Sequence, residues 1–171
     1  SASRSTTGTS GVESRSSRRI APSSLTPSEW ITNSSTGSRL RSIESVVPPL
    51  VRAFAPDVVV SQHGCDTHMH DPLAHLAITI DAQLRAHETL HDLAHEVSQG
   101  KWVALGGGGY ELVEVVPRSW THLTAIAAHV PIPNHTRVPQ EWLEHVERTL
   151  GRQAPNRMGD LPEERLPIWV Q

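Results

Sequence analysis

Apolar residues are spread unevenly along this chain, and their spacing divides it into parts. Residues 1–37 are rich in Ser, Thr and Arg with almost no apolar periodicity. Such a stretch cannot bury enough surface to offset its chain entropy, which predicts a disordered arm. A basic, phosphorylatable arm around Arg15, Arg18 and Arg19 is the functional alternative, and Pro27-Ser28-Glu29-Trp30-Ile31 reads as an isolated helical turn. From residue 39 to 54, Leu40, Ile43, Val47, Leu50, Val51 and Phe54 recur at helical spacing. Pro48-Pro49 interrupts them, so a short helix, a kink and another turn are expected. Ala55-Pro56-Asp57 then leads into the β-branched run at 58–61, which predicts a buried parallel strand.

After Asp71-Pro72 a mixed segment runs to Ile80, and Asp81 is a plausible N-cap. Leu84, His87 or Glu88, His91, Ala94 and Val97 then keep helical register to about Ser98, and Gln99-Gly100 is a C-cap signal. Residues 101–105 form the second expected strand, emptying into Gly106-Gly107-Gly108-Gly109-Tyr110. Between 110 and 129, Leu112, Val115, Val116, Trp120, Leu123, Ile126 and Ala127 suit an amphipathic helix whose start or kink lies near Pro117. Val130-Pro131-Ile132-Pro133 ends it. Pro139 introduces a helix over 140–150, with Trp142, Leu143, Val146 and Leu150 facing inward. Residues 151–171 are Pro-rich and read as irregular, and no internal repeat is visible.

Strand, helix, strand in this order predicts an α/β fold with a parallel sheet flanked by helices. Open parallel sheets bind ligands beyond the carboxyl ends of their strands. Ser61-Gln62-His63-Gly64-Cys65-Asp66-Thr67-His68-Met69-His70 and the glycine run both leave strands at that edge. The expected organisation is an arm at 1–37, a domain at 38–150 and a tail at 151–171.

Composition narrows the function classes. One domain is the expectation for 171 residues. A net charge of -3, with Lys101 the only lysine, gives no electrostatic footprint for nucleic acid. Cys65 is the only cysteine, which precludes an intrachain disulfide and fits a reducing cytoplasm. No apolar run approaches about 18 residues, so no membrane span is expected. The chain does not begin with Met and its N-terminus lacks a secretion signal, which is compatible with a fragment or a processed product.

Among chemical candidates, Asp66 suits a metal ligand or a general base, against a turn-forming Asp that bonds local amides. Consecutive glycines permit positive φ and close backbone approach. The run lacks both GxxxxGK[ST] and the acidic residue of a dinucleotide site, so a turn presenting Tyr110 is favoured over a phosphate loop. The Tyr110 phenol could then donate to a developing oxyanion, or simply cap the core. His87, His91 and His95 lie four apart, and His91-Asp92-Leu93-Ala94-His95 mimics HExxH without its Glu; a half-exposed helix face accounts for them better than zinc. His68 and His70 could approach a metal, although alternate residues after a strand often point apart.

Taken jointly, Gln62-His63-Gly64-Cys65-Asp66, Asp71-Pro72-Leu73, Leu105-Gly106-Gly107-Gly108-Gly109-Tyr110 and Pro117-Arg118-Ser119-Trp120-Thr121 resemble the zinc-dependent histone deacetylase superfamily, and within it the bacterial acetoin utilization (AcuC-like) deacetylases. The resemblance runs from about Arg39 to Ile132. It implies an arginase/deacetylase fold, here partial, and a zinc ion held by two Asp and one His. Asp66 matches one of those Asp ligands. Tyr110 matches the tyrosine that polarises the acetyl carbonyl. Gly107 and Gly108 match the backbone lining the acyl-lysine channel. The family's His-His dyad has no counterpart, and the only Asp-x-His, Asp66-Thr67-His68, lies in the lone-Asp motif. The resemblance therefore implies the C-terminal half of a deacetylase, with 1–37 non-homologous. Two readings follow: a fragment of a hydrolase acting on acetyl-lysine or a small acetylated amine, or a non-catalytic remnant acting only with a partner, associating through an exposed sheet edge. A nucleotide-binding module is a third, weaker reading. Neither nucleic acid nor membrane is implied.

Overall fold

The computed structural model describes residues 35–74 and 76–160. The expected disorder of 1–37 falls outside these except at its last three residues, which are helical; the turn at Pro27–Ile31 and the tail from 161 also lie outside them.

The first helix, α1, is Ser35–Phe54 and contains both Pro48 and Pro49. A single helix thus replaces the expected broken one. Each proline removes one i→i−4 bond, but the tertiary contacts hold both halves to a neighbour. Arg52 donates to Glu96 at 2.7 and 2.8 Å, and Arg85 donates to Glu44 at 3.0 Å. Those ties lie on either side of the proline pair, so the helix is anchored across its weak point.

Strands β1, Val59–Gln62, and β2, Trp102–Leu105, are adjacent and parallel, with Val59 opposite Trp102 and Gln62 opposite Leu105. Each begins one residue later than its spacing suggested. Between them α2, Ile80–Ser98, is capped by Thr79, whose hydroxyl accepts from the Ala82 amide at 3.2 Å. Asp81 is therefore not the cap. It sits in the first turn, where a carboxylate complements the helix dipole, and accepts from Asn134 Nδ2 and the Asp160 amide, both at 2.8 Å. The C-cap is Gln99, in the left-handed region at φ 57°, followed by Gly100 at φ 77°. Two further helices follow: α3, Val116–Ala127, with proline in its first turn, and α4, Gln140–Leu150, preceded by Pro139. Val146 of α4 is buried as expected, whereas Leu150 is 55% exposed: the last turn extends beyond anything that covers it among the described residues.

Helix α2 is the hub, packing on both strands with α1 and α3 at its sides. Cys65, Ile80 and Val115 form the core cluster, with Val116 and Trp120 against it. The strands are not buried on both faces. Val59 is buried, but Val60 is 62% exposed, and Val58, Val103 and Leu105 are also exposed. A parallel strand is dry on both faces only when helices cover both, and the described helices leave this second face bare.

Candidate active-site edge

The strand ends are joined by backbone hydrogen bonds beyond the ladder. His63 N–H donates to Leu105 O at 2.8 Å, and the amides of Cys65 and Asp66 both donate to Gly108 O, at 2.7 and 3.3 Å. Asp66 and the segment leading to Tyr110 thus lie at one carboxyl edge.

The glycine run serves close approach and not positive φ, since none of Gly106–Gly109 enters the left-handed region. A Cβ on Gly107 would overlap the Gln62 amide and stand 2.9 Å from Gly64 Cα, and one on Gly108 would overlap the Asp66 carboxylate. One on Gly109 would meet Cys65 Sγ at 2.5 Å, yet at Gly106 the nearest atom is Trp120 Cζ2 at 3.5 Å. We expect Gly109→Ala to destabilise the fold by about 1–3 kcal/mol through overpacking. Gly106→Ala should stay within roughly 0.5 kcal/mol, the range of uncrowded surface positions. Urea midpoints of the two variants check this, and equal midpoints would remove close approach as the reason for the run.

The turn-forming carboxylate here is Asp71, not Asp66. Asp71 Oδ1 accepts from the Leu73 amide and Oδ2 from the Tyr110 amide, both at 2.9 Å. Burial alone would raise its pKa, but these amide bonds, with those of Ala74 and Glu111, hold it below the usual carboxylate range. Asp71 thereby ties the end of the glycine run to the loop carrying Asp66. Asp66 itself is partly exposed and Tyr110 is 53% exposed. Cys65 is buried beneath them, and burial pushes its thiol up to about 11, so it supplies no thiolate at neutral pH.

Two buried polar clusters support this edge. His68 is fully buried; its Nδ1 accepts from the His70 amide at 3.1 Å, which leaves Nε2 as the donor to Asp160 Oδ2 at 2.7 Å. Asp160 Oδ1 in turn pairs with Arg118 Nη1 at 2.8 Å. Behind β1, Trp102 Nε1 donates to Ser61 Oγ at 2.8 Å, Ser61 Oγ lies 2.6 Å from His63 Nε2, and His63 Nδ1 lies 2.9 Å from His87 Nδ1. His87 is therefore a buried partner of His63, not part of a half-exposed face.

Sequence reasoning passed over Asp160 and the structural use of Arg118 and Asp71. The last two stand inside quoted motifs and so carried a signal; Asp160 lies in a Pro-rich stretch without periodicity and carried none.

Among the described residues, Asp66 shares no group of three metal-ligating side chains within mutual reach. His68 is committed to Asp160, and His70 lies beside Glu114 at 2.9 Å. The residues present thus fit one ligand of a catalytic zinc site, not the set of about three that such a site requires.

The histone deacetylase domain matches residues 23–127 of the chain. It is 34% identical to the acetoin utilization protein AcuC of Bacillus subtilis (strain 168) over 131 residues, 77% of this chain and 33% of that protein. It is 37% identical to AcuC of Staphylococcus xylosus over 102 residues, covering 58% and 26%, and 33% identical to AcuC of Staphylococcus aureus (strain Mu50 / ATCC 700699) over 123 residues, covering 72% and 31%. The chain thus spans about a third or less of the length of the curated relatives it matches. With more than half of its residues matched, and with two parallel strands delivering an aspartate and a glycine-run tyrosine to one edge, the chain belongs to the histone deacetylase family as an AcuC-like member with the arginase/deacetylase fold.

Proposed function

We propose that this chain supplies one wall of a zinc-dependent deacetylase site and works only when a further segment supplies the rest. The observation that carries the reading is the hydrogen-bonded pair of strand ends, which presents Asp66 and Tyr110 together. In the intact site the metal would polarise the acyl group and activate water. Asp66 would contribute one ligand, the backbone of Gly107 and Gly108 would line the channel, and the Tyr110 phenol would donate to the acyl oxygen as it gains charge. Among the described residues this edge does not complete the ligand set that activating water at a metal would need. The substrate class is acetyl-lysine or a small acetylated amine, of the acetoin utilization type. The bare apolar sheet face at Val58, Val60, Val103 and Leu105 is the natural seat for the remaining segment of such a domain. Among the described residues no helix is long and apolar enough to cross a membrane. A cytoplasmic setting is proposed on the single buried free cysteine.

The second reading, a non-catalytic remnant, is favoured by the lack of partner ligands for Asp66 among the described residues. The test is acetyl-lysine hydrolysis by the purified chain, alone and mixed with the N-terminal portion of an AcuC relative in the presence of zinc. We expect no turnover alone, turnover in the mixture, its abolition by Asp66→Ala, and a fall of about 10²–10³ for Tyr110→Phe, the size of losing one oxyanion donor. Turnover by the chain alone that Asp66→Ala abolishes would make it a minimal deacetylase. A mixture that associates yet stays inert would establish the remnant.

A further inference from the structure

We propose that His91, His95 and His129 form a binding site for a divalent transition-metal ion, zinc in the first instance, away from the edge that carries Asp66 and Tyr110. The three side chains each offer a ligand atom, and these atoms all lie within 4.8 Å of one another. His91 and His95 occupy the last two turns of α2 at i and i+4, the spacing that puts two imidazoles on one helix face. His129 follows the end of α3. The His95 ring lies against Gly100, two residues before β2 begins, so the cluster sits at the end of the sheet opposite the strand tips.

Two details point to a ligand and not to a chance gathering. His91 Nε2 is buried and has no hydrogen-bond partner, while Nδ1 lies 3.4 Å from Asp92 Oδ1. One nitrogen turned to a carboxylate and the other left free is the orientation of a metal-bound imidazole. His129 has φ 60°, in a turn where its amide donates to Ile126 O and that of Val130 to Ala125 O, both at 2.9 Å. This is a Schellman close to α3, whose left-handed position ordinarily takes glycine. A histidine is held there instead, with its ring 5.0 Å from that of His91 and 5.2 Å from that of His95.

The chemistry follows from the donor set. Three neutral imidazoles suit zinc, cobalt, nickel or copper better than calcium or magnesium. Zinc–nitrogen bonds of about 2.0–2.1 Å require the nitrogens to draw together by roughly 1 Å, and the exposed side chains of His95 and His129 are free to do so. The solvent side leaves the fourth position to water. Asp92 is turned outward and is 78% exposed, so the cluster lacks the inward base of an HExxH hydrolase. The ion would tie the end of α2 to the end of α3, and binding to the folded state alone would raise stability by linkage.

The experiment uses the tag-free full chain, titrated with zinc by calorimetry and with cobalt by visible absorption, with melts in excess zinc and in chelator. We expect one zinc per chain, a four-coordinate cobalt spectrum and a melting temperature raised by zinc. His129→Gly relieves the left-handed position, so its metal-free melting temperature should rise while the zinc-induced shift disappears. His95→Ala should weaken zinc by more than about 100-fold, exceeding the usual loss from an outer-shell change. Asp66→Ala should bind zinc as the parent does, which separates this site from the proposed catalytic edge. Parent-like zinc binding in His129→Gly, or loss of binding in Asp66→Ala alone, would overturn the proposal, as would the absence of a zinc-induced shift in the parent.

Discussion

Arg118→Ala is expected to lower the stability of the chain by about 3–5 kcal/mol, the cost of breaking a buried ion pair from one side. Arg118 is 4% exposed. Its Nη1 pairs with Asp160 and also donates to Gly159 O at 3.0 Å, while Nε donates to Glu114 O at 2.5 Å. Asp160 Oδ2 is held by His68 Nε2 and by the Ile80 amide, both at 2.7 Å. One carboxylate thus joins the loop after β1, the start of α2 and a residue in α3. Burial would raise the pKa of Asp160, but the His68 hydrogen bond and the Arg118 charge outweigh it and hold the group to about 2. At an m-value of about 2 kcal/mol/M the urea midpoint should fall by roughly 2 M with the slope unchanged. Asp160→Ala should be similarly harmful, and Arg118→Ala with Asp160→Ala less harmful than the sum, since the second change removes the stranded partner. Additive effects would mean that the pair is not coupled.

Acid should weaken the chain in two separable stages. Burial pushes the His87 imidazole down to about 3, with the nearby His63 and His122 adding to it. Burial lowers His63 as well. The folded pKa lies below the unfolded one, so the unfolded chain takes up protons that the folded chain refuses. The associated stability is complete above pH 6.5 and is lost as the pH falls from there towards 3. Between pH 7 and pH 4 the His87 shift alone amounts to about 3 kcal/mol. Asp160 acts later: its depressed pKa contributes stability present above about 3.8 and lost as the pH falls towards 2. His87→Gln keeps a polar group opposite His63 Nδ1 but removes the titration. It should flatten the loss between pH 6.5 and 4 and leave the stage below pH 4 intact. Urea midpoints at pH 7, 5.5, 4 and 3 measure both stages, and a parent-like slope in His87→Gln would refute the assignment to this buried pair.

The order of helices and strands, their approximate limits and the arrival of Asp66 and the glycine run at one edge were legible in the residues, because each rests on local spacing: 3.6-residue periods, β-branched runs, and Pro and Gly at boundaries. The motifs that carry the family resemblance were legible as residue identities in order, not as periodicity. Errors began where two local signals competed. Thr79 and Asp81 both can cap, and the path of the chain decided for Thr79 by drawing Asp81 to Asn134 and Asp160. Pro48-Pro49 reads as a break until Arg52 and Glu44 are seen to grip α2 on either side.

What only the tertiary structure decided lies in contacts between residues far apart in sequence. The pairing of His68 with Asp160 spans 92 residues, and that of Arg118 with the Gly159 carbonyl spans 41. No periodicity links such positions, so their association depends on where separate elements come to rest. The gathering of His129 with His91 and His95 has the same origin, as does the exposure of Val60, which a β-branched run predicts to be dry. Alternation along a strand specifies which residues share a face; whether anything covers that face is settled by the packing of other segments.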